Sequence, residues 1–149
     1  MTKPLMTRIL LATDFSDGAA CAQDYAIYLA SHWGATLEVL HVIETPHRSS
    51  AEAESLAAVV QVRAEAARQL EQVRDDLVRR GVSVKVRLVL GNPAEHIGLA
   101  AKDKGAELVV LGVQGRGALD PLMFGSTANH VVRHAEQPVM TARSPAAGA

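Results

Sequence analysis

Aromatic side chains make up only 3% of this chain, and cysteine occurs once. With so few rings, a core must come from aliphatic residues, and hydrophobic residues still amount to 48% of the chain. Alanine, valine, leucine and isoleucine in that proportion suit buried parallel strands covered by alanine-rich helices. The single cysteine, Cys21, excludes an internal disulfide and a cysteine-based zinc site, and it fits a reducing, cytoplasmic location. A basic excess is also missing. The net charge is −1, and there are few rings to stack on bases, so no nucleic-acid partner is expected. No apolar run is long enough to span a membrane. The apolar stretch over 6–13 is too short for a secretory signal and stops at Asp14.

The 149 residues fit one domain, placed at 1–143, with 144–149 read as a disordered tail. Along it, strand and helix signals alternate. Apolar runs at 8–13, 36–43, 82–90, 107–112 and 138–143 read as strands. Between them lie helical patterns. The first, over 17–33, puts Ala22, Tyr25, Ala26, Leu29 and Trp33 on one side and stops at Gly34. The second follows a polar loop through Pro46 and Arg48. Ser49 and Glu52 have capping-box spacing, and Leu56, Val59, Val60, Leu70, Val73 and Leu77 form its stripe. The third opens with Asn92 as cap, Pro93 in the first helical position and Glu95 completing the cap. The fourth runs from Ser126 to about Ala135. Strands separated by helical crossovers predict an α/β fold, a doubly wound five-stranded parallel sheet with helices on both faces. Ligands of such sheets sit beyond the carboxyl ends of the strands.

The segment after the fourth strand is rich in glycine: Gly112, Gly115, Gly117 and Gly125, then Ser126 and Thr127 opening a helix. Glycine lets backbone approach a ligand closely, and a helix start favours an anion. A phosphate loop and an ordinary strand–loop–helix junction, with Ser126 or Thr127 as a mere cap, both fit these residues. Asp14 likewise suits a ligand contact or a helix cap. His130 and His134 lie four apart without a third ligand, so they read as helix-surface histidines and no metal site is expected. Cys21 reads as a buried structural thiol.

Gly112, two residues, Gly115, nine residues, Gly125 and Ser126 reproduce a spacing that resembles the nucleotide-binding subset of the universal stress protein family. The strand ending in Asp14 before Ser16 is similar to that family's opening. The run from Gly125 to His134, followed by Pro138 and Val139, is similar to its last helix and strand. The likeness spans nearly the whole chain. It implies an adenine-nucleotide-hydrolase-like fold and binding of ATP, or of ADP or AMP, with magnesium as an accompanying candidate. On this resemblance Asp14 bonds the ribose or adenine side, and Ala12 lines the same wall. Val42 offers backbone to the adenine edge, Leu111 and Gly112 continue the floor, and Gly115, Gly125, Ser126 and Thr127 hold phosphates. Arg116 is added on grounds of charge alone. Asp120 inside that loop is a departure that either repels a triphosphate or assists a magnesium ion. The resemblance also points to a homodimer, through an uncharged edge strand at Val139, Met140, Thr141 and Ala142.

Other nucleotide sites are excluded by what is missing. There is no P-loop lysine, no dinucleotide glycine pattern after the first strand, no receiver acid after the third strand and no Ser-Gly-Gly adenylation loop. No general base other than Asp14 and Asp120 lies near the loop, so no catalytic residue is assigned. Three classes remain: a nucleotide-binding regulatory protein in the stress response, a slow ATPase using the same site, and an interaction module that does not bind nucleotide.

Overall fold

Each apolar run becomes a strand and each helical pattern a helix. In a computed structural model, residues 6–44, 56–113 and 124–145 are described. The order is β1 Arg8–Ala12, α1 Asp17–Trp33, β2 Thr36–Glu44, α2 Leu56–Arg79, β3 Ser83–Gly91, α3 Pro93–Asp103, β4 Leu108–Gly112, α4 Ser126–His134 and β5 Val139–Ala142. Asn92 caps α3 as its sequence predicts, its side chain accepting from the Glu95 amide at 3.1 Å. Gly34 ends α1 in the left-handed conformation that favours glycine. The expected cap at Ser49 and Glu52, the loop through Pro46 and Arg48, and most of the expected tail lie outside the described residues.

All strand pairs are parallel, in the order β3-β2-β1-β4-β5. Alternation along the strands divides the core in two. Ile9, Leu11, Leu37 and Val39 pack with α1 and α2, whereas Leu10, Leu40, Val109 and Leu111 pack with α3 and α4. The chain reverses its winding between β1 and β4, which puts the switch point, and any ligand crevice, beyond their carboxyl ends.

Two expected helix faces are corrected. In α1 the buried stripe is Ala19, Ala22, Ala26, Ile27 and Ala30, while Tyr25 is 54% exposed and Trp33 only half-buried. Small alanines let the helix lie close to the sheet, and the bulky tyrosine is turned outward. In α2 the buried residues are Ala66, Leu70 and Leu77, but Val59 and Val60 are exposed. Cys21 is half-buried rather than buried, its thiol 3.4 Å from the Arg143 carbonyl oxygen.

A cavity at the carboxyl ends of three strands

The turn after β1 is built from short hydrogen bonds. Thr13, 7% exposed, extends the pairing by donating its amide to the Leu40 carbonyl at 2.9 Å. Its hydroxyl oxygen accepts from the Phe15 amide at 3.1 Å. Asp14 Oδ1 accepts from the Ser16 amide at 3.0 Å. The cap of α1 is Ser16, whose Oγ accepts from the Ala19 amide at 3.2 Å. Asp14 is therefore not the helix cap that one sequence reading allowed. Phe15 holds φ at 63°, a left-handed conformation that costs a bulky residue on the order of 1–3 kcal/mol.

β2 runs on past β1. Its register with β1 ends at Ala12 opposite Leu40, while its pairing with β3 continues to Glu44 opposite Gly91. Leu40 turns its carbonyl toward β1, as its bond to Thr13 shows. Two residues on, strand alternation turns the Val42 amide and carbonyl the same way, where β1 no longer lies opposite. That placement gives backbone donors and acceptors to the cavity at Val42.

On the other side of β1, Leu111 is buried at the end of β4. A Cβ on Gly112 would stand 2.7 Å from the Gly18 carbonyl carbon and 2.9 Å from its oxygen. Gly112 thus lets the first turn of α1 touch the sheet. Val113 donates to the Ala142 carbonyl at 3.0 Å, and Gly125 donates to the Val113 carbonyl at 2.6 Å. The second bond closes the base of the glycine-rich loop and sets the start of α4. Gly125 is the N-cap of α4, with no side-chain capping bond. Ser126 and Thr127 are already inside the helix, so neither is the mere cap that remained open in the sequence. The uncapped amides and the positive end of the helix dipole favour an anion.

These elements surround a cavity of about 970 Å³. Ala12, Asp14, Val42, Leu111, Gly112, Gly125, Ser126 and Thr127 all line it. Gly115, Arg116 and Asp120 lie outside the described residues. Sequence reasoning missed Thr13, Phe15 and His41, and also the polar flank of α2 at Gln61, Glu65 and Gln69. The spacing of that flank, every fourth residue, was a signal available in the sequence. Arg68 donates to Glu65 at 2.6 and 3.0 Å and holds its carboxyl below the usual carboxylate range. Among the described lining residues none is lysine or arginine, so α4 provides the site for negative charge. Among the described residues no set of three His, Cys, Asp or Glu is gathered for a metal, and no helix is long and apolar enough to cross a membrane. His130 and His134 stack on the exposed face of α4 with ring centroids 4.1 Å apart.

Comparison with known proteins agrees with this architecture. The profile of the universal stress protein family matches residues 6–143. The universal stress protein YxiE of Bacillus subtilis is 30% identical over 151 residues, which cover 93% of this chain and all of YxiE. The solved structure of MJ0577, from Methanocaldococcus jannaschii, superposes with a TM-score of 0.85 at 26% identity, covering 96% of this chain and 99% of that one. A universal stress protein from Archaeoglobus fulgidus in complex with dAMP shares the fold, with a TM-score of 0.69 at 22% identity, covering 95% of this chain and 100% of that one.

Proposed function

The chain belongs to the universal stress protein family, and from that premise we propose that it is a regulatory protein that binds an adenine nucleotide in the cavity beyond β1, β2 and β4. The observation that carries the reading is the gathering of three complementary features around one space. Asp14 accepts hydrogen bonds from ribose hydroxyls, and the Val42 backbone faces the base edge. The uncapped start of α4 at Gly125, Ser126 and Thr127 takes phosphate. Ala12, Leu40 and Leu111 provide an apolar floor for a flat ring. Gly115 and Arg116 extend the phosphate site in this reading. A chain of the same fold takes dAMP in the Archaeoglobus complex, so the fold can hold an adenine nucleotide; the assignment to this chain rests on its own residues.

Rapid turnover is not part of the proposal. Phosphoryl transfer needs an oriented nucleophile and neutralised charge, and no described cation lines the cavity. With magnesium and saturating ATP, phosphate release is expected far below about ten per second, the middle of the usual enzyme range. A rate of that order makes the protein an ATPase instead.

A homodimer through β5 is proposed on separate grounds. β5 lies at the sheet edge, paired to β4 alone, and Val139, Met140, Thr141 and Ala142 carry no charge. The opposite edge, β3, is blunted by exposed Lys85 and Arg87. A two-fold partner would pair β5 with its copy. Light scattering after size exclusion should give a dimer for the wild type at micromolar concentration and a monomer for Met140→Lys. A monomeric wild type rejects the dimer, and a fully dimeric Met140→Lys rejects this interface.

A further inference from the structure

The turn that carries Asp14 is held in a conformation that its own sequence does not favour. Phe15 is the only non-glycine residue at positive φ among the described residues, and such a backbone persists when its surroundings impose it. His41 is what lies against it. The two rings are 4.3 Å apart, centroid to centroid, and tilted by 32°. His41 Nδ1 is also 2.7 Å from the Thr13 carbonyl oxygen. A carbonyl only accepts, so Nδ1 carries the proton. One imidazole therefore grips the turn on both sides of Asp14, at Thr13 and at Phe15. Aliphatic packing alone does not ask for it: β2 places Leu37 and Val39 on the same face, and a leucine or valine at 41 would fill space without donating.

We propose that His41 is a positioning residue: by donating to the Thr13 carbonyl and supporting Phe15 in its left-handed conformation, it fixes the turn that presents Asp14 to the cavity. The inference builds on the nucleotide reading of that cavity and adds a residue that acts through others rather than by touching the ligand.

The test is a double-mutant cycle of His41→Ala and Phe15→Gly on the full chain. Glycine adopts positive φ freely, so Phe15→Gly keeps the left-handed turn and removes the strain that His41 offsets. Two readouts are taken: AMP affinity by calorimetry, and exchange of the Ser16 amide by NMR without ligand. His41→Ala should weaken AMP binding about tenfold in the native background and less than about twofold beside Phe15→Gly. The Ser16 amide, which donates to Asp14 Oδ1, should exchange faster in His41→Ala and return toward the native rate in the double variant. Equal loss of affinity in both backgrounds overturns the proposal, since His41 then acts independently of Phe15. If wild type binds no adenine nucleotide, the nucleotide reading falls and the exchange data decide alone. Unchanged Ser16 exchange in His41→Ala overturns the positioning role, and restored exchange in the double variant upholds it. If His41→Ala does not fold, His41→Asn, which keeps a donor near the place of Nδ1 without the ring, carries the same cycle.

Discussion

Gly112→Ala lowers stability by about 2–3 kcal/mol, the cost of overpacking against atoms that cannot swing aside. The added methyl would meet the backbone of Gly18 at 2.7 and 2.9 Å and the Ala19 amide nitrogen at 3.0 Å. These atoms belong to the first turn of α1, so relief requires the helix to lift from β4. A loss of that size moves the thermal midpoint down by roughly 5–10 °C in a domain of this length. Gly98→Ala is the control. Nothing lies within 4 Å of a Cβ at that position in α3, and alanine there gains about 0.5–1 kcal/mol from helix propensity. Calorimetric melts of the two variants should shift in opposite directions. A Gly112→Ala midpoint equal to wild type would show that α1 does not rest on β4 as described.

Asp14→Asn is expected to weaken adenine nucleotide binding about 10–100-fold, because a hydrogen bond to a charged group contributes about 1.5–3 kcal/mol. Asparagine keeps a side-chain oxygen in the place that accepts the Ser16 amide at 3.0 Å, so the turn survives and the loss reports the missing charge. Stability should change little. Titration calorimetry of folded Asp14→Asn against wild type measures it, and equal affinities remove Asp14 from the site.

Much of this was legible in the sequence. The apolar runs, the Gly34 stop and the Asn92 cap ahead of Pro93 each state a local rule that the fold obeys. The eight described residues that the family resemblance pointed to all line one cavity. The misses have a common cause: periodicity tells which side chains share a helix face but not which part of the helix lies over the sheet. α2 has 24 residues and is about 36 Å long, whereas the 9 residues of β2 extend about 30 Å. In its first turns Val59 and Val60 are exposed, and Gln61 and Glu65 line the cavity. Tyr25 was misplaced for a related reason. Close packing of α1 at Gly18 and Gly112 favours small residues beneath it, mostly alanines. Phe15 and His41 were missed because their role depends on β1 ending before β2 does, a register that no single strand reveals. The motif also hid a second role of Gly112, whose missing side chain is required by packing as well as by any ligand.

Binding of an adenine nucleotide in the cavity beyond β1, β2 and β4 is tested by titration calorimetry of purified wild-type protein with AMP and ATP. Saturable binding of about one nucleotide per chain is expected, with a dissociation constant on the order of 1–100 μM. An absence of heat and of any thermal stabilisation up to millimolar AMP and ATP would contradict it and leave the protein an interaction module.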